Sequence, residues 1–272
     1  MDFKVDGPFQ DPGPSFYDWL LSQRPDVLPG VRNDTPGEGA GDRPPSAMVW
    51  HGTTVLALKY RDGVIIAGDR MATEGYQVSA RRIDKVYKVD EHSAIAIAGA
   101  AGPCIELARL FQTELEHYEK LEGAELSTDG KANKLAQMVK GNLPMAFQGL
   151  VIIPIFVGYD LKRNEGRIFK YDITGGRYEE TDYFSTGSGG KDARTTMKKL
   201  YQSEMAENDA VRTALVALYD AAEEDIGTGG PDLVRGIYPT VKTVTVKGVV
   251  DIDDPQIRQV YEQLIETRKR GA

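Results

Sequence analysis

Cysteine is almost absent from this 272-residue chain. Cys104 stands alone, so neither an internal disulfide framework nor a cysteine-rich metal site can be built, and reducing cytoplasm is the expected compartment. Cys104 itself reads as a small buried hydrophobe. Long apolar runs are missing too. Nothing approaches the roughly twenty continuous apolar residues that span a bilayer, and the opening MDFKVDGPFQDPG has neither a basic start nor an apolar stretch. Neither a membrane nor an export route is expected. Excess positive charge is a third absence: 33 Lys+Arg face 41 Asp+Glu, a net charge of −8. Without clustered cations to neutralise phosphates, nucleic acid is excluded as a partner. Histidine is scarce as well, with His51, His92 and His117 making up the set. No H-E-x-x-H, paired cysteines or EF-hand loop is present, so no metal and no cofactor is expected.

Proline, by contrast, is concentrated. Eight of the fourteen (Pro8, Pro12, Pro14, Pro25, Pro29, Pro36, Pro44, Pro45) fall in the first 52 residues, a stretch too poor in apolar surface to offset its ordering entropy. It reads as mostly disordered, except for SFYDWLLSQRP, where Phe16, Trp19 and Leu20 follow a Ser15 cap at helical spacing.

From Thr53 the texture is regular. TTVLALKY and GVIIAGD read as strands around a turn at Arg61-Asp62-Gly63, followed by RIDKVYKV and SAIAIAG. Cys104, Leu107, Ala108, Phe111, Leu115 and Tyr118 recur at i, i+3 and i+4, an amphipathic helix running to about Glu122. GKANKLAQMVKGNLPMAFQGL is a second helical stretch, kinked or broken by Pro144. VIIPIFVGYD, GRIFKYDI and DYFSTGS are strands, with a turn at Gly175-Gly176. KDARTTMKKLYQ and NDAVRTALVALYDAAEED are helices, and TVKTVTV is a strand. DPQIRQVYEQLIETRKR closes the chain as a helix capped at Asp254-Pro255. Strands joined by short turns imply antiparallel sheets and an α+β fold. Two sheets face to face, with a helical pair on each outer side, would bury all the apolar faces.

The chemistry narrows by elimination. Gly187-Ser188-Gly189 lacks the G-x-S-x-G spacing of a serine elbow, and His92 and His117 sit in a turn and a charged helix, so no base matches a serine. Ser185-Thr186-Gly187-Ser188-Gly189-Gly190-Lys191 could cradle a phosphate or nucleotide at a helix start, yet it departs from a P-loop at its first glycine and after the lysine. A tight packing turn is the other reading.

One junction stands out. The tail ends at Trp50-His51-Gly52 and the first strand opens with Thr53-Thr54. Cutting after Gly52 would give Thr53 a hydroxyl and a free α-amine, a base of pKa about 7.7 to 8.0 that needs no histidine. Glycine at 52 tolerates the strained geometry of attack on its own carbonyl. Alternatively, Gly-Thr-Thr merely begins a strand. Period-two alternation in RIDKVYKV puts Lys85 on one face with Ile83 and Tyr87, where an ammonium requires a partner. Asp69, ending GVIIAGD, is the candidate. The two form either a charge pair tuning the Thr53 hydroxyl or a structural ion pair between strands.

These residues resemble a known family. Gly52-Thr53-Thr54, A-G-D-R around Asp69, Lys85 in D-K-V-Y and A-G-A-A-G around Gly99 are similar to β-type subunits of the 20S proteasome, threonine proteases of the N-terminal-nucleophile class. LEHYEKLEG, GNLPMAFQGL, TGSGG and YDAAEEDIGTGGPDLVRGIYP resemble the actinobacterial version, in order from about Gly52 to near the C-terminus. The resemblance implies a four-layer αββα sandwich with two antiparallel sheets. It implies residues 1–52 as a propeptide removed by self-cleavage between Gly52 and Thr53, and residues 53–272 as the catalytic domain of a zymogen. Thr53 then becomes the nucleophile with its α-amine as base, Asp69 and Lys85 the charge pair, and Gly99 the oxyanion N–H donor. Ser188, Asp225 and Thr228 position the amine. Many members have serine at the Thr228 position, most have arginine where this chain has Glu224, and Met71 replaces a more usual arginine. Ala72, Ile83, Tyr87, Ile97 and Ala101 match the pocket for the residue before the cut bond, implying a hydrophobic preference. The implied partners are α subunits, a second heptameric β ring stacked on the first, an ATP-dependent unfoldase cap, and unfolded polypeptides, many tagged with a ubiquitin-like protein. Two rival readings differ in kind: a non-catalytic ring subunit, and a phosphate or nucleotide binder using the Gly187–Gly190 turn.

Overall fold

A computed structural model describes residues 52–74 and 77–271. The helical patch expected around Phe16 to Leu20, His51 and nearly all of the proposed propeptide lie outside the described residues.

Alternation along the strands sorts side chains into three separate cores, and three cores require four layers. In β1 (Thr54–Tyr60) and β2 (Gly63–Gly68), Leu56, Leu58, Ile65 and Ala67 face one way and Val55, Ala57, Val64 and Ile66 the other. In β6 (Ser93–Gly99) and β7 (Ile152–Asp160), Ile95, Ile97 and Phe156 face helices, while Ala94, Ala96, Ile155 and Val157 meet the inward side chains of β1 and β2. The sheets therefore stack on a shared apolar layer, with helices outside each.

One sheet runs β10 (Tyr183–Gly187), β1, β2, β11 (Thr240–Thr245), β12 (Gly248–Asp251). The other is a meander of β5 (Val86–Asp90), β6, β7, β8 (Glu165–Tyr171) and β9 (Arg177–Glu180). Every pairing is antiparallel, as expected of an α+β sandwich. A short hairpin, β3 (Ala72–Glu74) with β4 (Gln77–Ala80), stands apart from both sheets.

α1 (Ala101–Glu122) buries Cys104, Leu107, Ala108, Phe111 and Leu115. Tyr118, read as the last residue of that face, is exposed instead. α2 (Thr128–Gly141) is capped by Ser127, whose Oγ accepts the Gly130 N–H at 3.1 Å. The break expected at Pro144 comes earlier, at Asn142, and Pro144 falls in the first turn of the four-residue α3 (Leu143–Ala146), where its missing N–H costs nothing.

The other sheet is covered by three helices rather than the expected pair. Ile257, Tyr261 and Leu264 of α6 (Asp254–Gly271) join the core formed with α4 (Gly190–Leu200) and α5 (Glu207–Glu224). The cap of α6 is Asp253, not Asp254: its Oδ1 accepts the Gln256 N–H at 3.0 Å. Edge strands β9 and β12 and the β3–β4 hairpin escape sequence reading because each strand is three or four residues long and too short to display alternation. Among the described residues no helix is long and apolar enough to cross a membrane.

Candidate active site

Strand register brings the candidate residues to one place. Thr54 pairs with Gly187, and Val55 with Gly68. The residue ahead of β1, Thr53, is thereby set between the ends of two neighbouring strands, where Asp69 follows β2 and Ser188 follows β10. Gly187 has φ +99, and a Cβ there would lie 1.9 Å from the Thr53 carbonyl oxygen. Only glycine permits that approach, which lets the Ser188 N–H donate to the same oxygen at 2.8 Å.

Lys85 does not lie in a strand. The expected strand RIDKVYKV begins only at Val86; ahead of it the Ile83 N–H donates to Arg70 O, while the Lys85 carbonyl accepts the Ile97 N–H, each at 3.0 Å. The face-sharing survives the correction, since Ile83, Lys85 and Tyr87 line one pocket. The Lys85 side chain is 6% exposed and Asp69 0%. Lys85 Nζ donates to Asp69 Oδ1 at 2.7 Å, to Met71 O at 2.5 Å and to Gly52 O at 3.3 Å. All three ammonium hydrogens therefore find acceptors. Burial pushes the Lys85 pKa below its ordinary 10.5, and the Asp69 carboxylate pulls the other way. Asp69 also accepts the Thr54 N–H at 2.8 Å on Oδ1, and the Met71 and Gly229 N–H groups on Oδ2 at 2.9 and 3.0 Å. Four donors hold one buried carboxylate. Met71 contributes main-chain atoms only, so the departure from arginine at that position leaves these contacts in place.

A second network approaches Thr53 from the other side. The Thr53 N–H donates to Ser188 Oγ at 3.2 Å, and Ser188 Oγ donates to Asp225 Oδ2 at 2.5 Å. Thr228 Oγ1 donates to that same oxygen at 2.5 Å. Having given its only proton to Asp225, Thr228 accepts from Thr54 Oγ1 at 2.6 Å, and Thr54 in turn accepts the Gly189 N–H at 3.0 Å. The Gly227 N–H reaches Asp225 Oδ1 at 3.1 Å, so Asp225 draws donors from hydroxyls and backbone, without arginine at 224. Thr228 supplies the hydroxyl expected at its position.

Thr53 Oγ1 stands 2.7 Å from the carbonyl oxygen of Gly52 and donates to it. A small pocket begins beside it. All five expected pocket residues, Ala72, Ile83, Tyr87, Ile97 and Ala101, line it together with Gly99, which closes β6. Asp84, Cys104 and Ile105 also line it and were not foreseen. Cys104 is buried, as expected, and burial raises its thiol pKa to about 12. His92 lies in the β5–β6 turn and His117 on the exposed side of α1, as the sequence suggested. The Gly187–Gly190 turn offers no open phosphate cradle, since the Ser188 and Gly189 N–H groups are spent on Thr53 O and Thr54 Oγ1.

Thr54, Thr228's partner, was missed: its signal, a second threonine, is that of any strand start. So was the main chain of Met71, which leaves no mark in side-chain patterns.

Two antiparallel sheets between helical layers, opening at the head of the first strand, define the N-terminal-nucleophile hydrolase class of fold. Residues 49–234 match the proteasome subunit family, and the chain belongs to it. "Proteasome subunit beta" of Acidothermus cellulolyticus is 51% identical over 96% of this chain and 90% of its own length. Those of Acidimicrobium ferrooxidans and Streptomyces griseus are 48% and 47% identical, over 97% and 96% of this chain and 94% and 91% of their own. The resemblance to actinobacterial β-type subunits thus extends over nearly the whole sequence. Membership makes the chain a subunit of the 20S proteasome core, which assembles into rings with α subunits.

Proposed function

We propose that this chain is a threonine endopeptidase, made as a zymogen, that frees its own nucleophile by cutting between Gly52 and Thr53. One observation carries the reading: in the uncut chain the Thr53 hydroxyl stands 2.7 Å from the Gly52 carbonyl oxygen, and that oxygen is 3.3 Å from the Lys85 ammonium. Attack by Oγ1 on the Gly52 carbonyl carbon puts negative charge on an oxygen already facing a cation. The C–N bond then breaks, the nitrogen takes up a proton to become the α-amine, and Gly52 is left as an ester on Oγ1. Water hydrolyses that ester and releases residues 1–52.

The freed amine inherits Ser188 Oγ as neighbour, backed by Asp225 and Thr228. It serves as general base when Oγ1 attacks a peptide carbonyl, and again for the water that resolves the acyl-enzyme. Gly99 supplies the oxyanion N–H, and the pocket lined by Ala72, Ile83, Tyr87, Ile97 and Ala101 takes a hydrophobic side chain. Substrates are unfolded polypeptides, many carrying a ubiquitin-like tag, admitted to a closed chamber of paired heptameric β rings by an ATP-dependent unfoldase in the cytoplasm.

Thr53→Ala tests the reading. The variant should assemble, keep its full-length chain by mass, and hydrolyse no peptide. Normal hydrolysis by that variant would show that Thr53 is not the nucleophile and leave the rival readings standing. A fluorogenic peptide panel cut faster after acidic or basic residues than after apolar ones would overturn the pocket assignment.

A further inference from the structure

Residue 52 is held on the side away from Thr53 as well. Its N–H donates to Thr73 Oγ1 at 2.9 Å, a buried contact, and Thr73 is 6% exposed. Its α-carbon lies against the backbone of Gly227: a Cβ added at Gly52 would fall 2.2 Å from the Gly227 α-carbon. Its oxygen faces Lys85 Nζ at 3.3 Å. Gly52 is thus fixed at its nitrogen, its α-carbon and its oxygen by three segments distant in sequence. Thr73 belongs to the short β3–β4 hairpin outside both sheets, and its hydroxyl does not line the pocket beside Thr53.

We propose that Thr73 is a positioning residue for self-cleavage, orienting the Gly52 carbonyl toward the Thr53 hydroxyl by accepting the Gly52 N–H. This rests on the self-cleavage reading above and adds a residue specific to that step. The reason for specificity is covalent. In the uncut chain the Gly52 carbonyl carbon is bonded to Thr53 N, which keeps residue 52 beside the Thr73 hydroxyl that accepts its N–H. A separate peptide has no such bond and approaches Oγ1 from a different position, so the Thr73 hydroxyl is not fixed on it in the same way. Loss of the acceptor leaves a buried N–H unpaired and frees the scissile unit to rotate, which slows an attack that depends on alignment.

The test compares two rates in the full chain carrying Thr73→Val, which keeps the shape and removes the acceptor, or Thr73→Ser, which keeps the acceptor. Self-cleavage is followed by the appearance of a Thr53 N-terminus in intact-mass spectra. Peptide hydrolysis is measured on the cleaved fraction, per titrated Thr53 amine. The expected result is a ratio of self-cleavage to peptide hydrolysis about tenfold lower in Thr73→Val and restored in Thr73→Ser. A merely structural role would lower both rates together and leave the ratio unmoved, which would overturn the proposal. So would a wild-type ratio in Thr73→Val, with the self-cleavage reading intact. A wild-type chain that stays whole at Gly52-Thr53 would overturn both.

Discussion

Replacing Lys85 by Met keeps most of the side-chain volume and removes the charge, and the distances set the size of the effect. An ammonium 3.3 Å from the Gly52 oxygen stabilises a full negative charge there by about 5 kcal/mol at an effective dielectric of 20. The Asp69 carboxylate behind the ammonium takes back about half, leaving about 2 to 3 kcal/mol, or about 30- to 150-fold in rate. Breaking a buried pair also costs about 3 to 5 kcal/mol of stability, softened here because Asp69 keeps the Thr54, Met71 and Gly229 N–H groups. The assay is the rate at which chains in assembled rings acquire a Thr53 N-terminus, with ring assembly checked by size exclusion and stability by thermal melting. Self-cleavage within about threefold of wild type in assembled Lys85→Met rings would refute the electrostatic argument, since a contact at this distance cannot be worth so little.

Gly187→Ala should block self-cleavage and lower the melting temperature, because the new methyl meets the Thr53 carbonyl oxygen at 1.9 Å in a left-handed conformation; an uncut chain by mass and a shifted melt are the readouts. Self-cleavage should fall on the alkaline side before pH 10.5, since Lys85 loses its proton below its ordinary value. The unfolded chain binds the extra proton in that window, so stability rises with pH there, and activity should decline while the melting temperature on account of this group does not. The Cys104 thiol, raised to about 12 by burial, should resist an aromatic disulfide reagent at neutral pH in the native chain and react stoichiometrically once denatured. Rapid labelling of the native form would show that the pocket opens further than described.

The layered fold was legible in the sequence because each long strand repeats its pattern. β1, β2, β6 and β7 show two apolar faces over six to nine residues, and only a strand covered on both sides does so. The Gly52-Thr53 junction and a lysine on an otherwise apolar face were legible for a similar reason, as chemistry out of place in its local pattern. Resemblance to the family then supplied Gly99, Ser188, Asp225 and Thr228, which alternation alone did not single out.

Other features had no local trace. Thr54 meets Thr228 across 174 positions and Gly52 meets Thr73 across 21, and a hydrogen bond between distant segments leaves no periodicity in either. Main-chain groups such as Met71 O act whatever side chain they carry. The sequence by itself therefore determined which faces are buried and where the candidate Gly52-Thr53 junction lies, since burial and alternation are properties of neighbours along the chain. Tertiary structure decided which donors and acceptors converge on that junction, because strand register alone sets the ends of β1, β2 and β10 side by side.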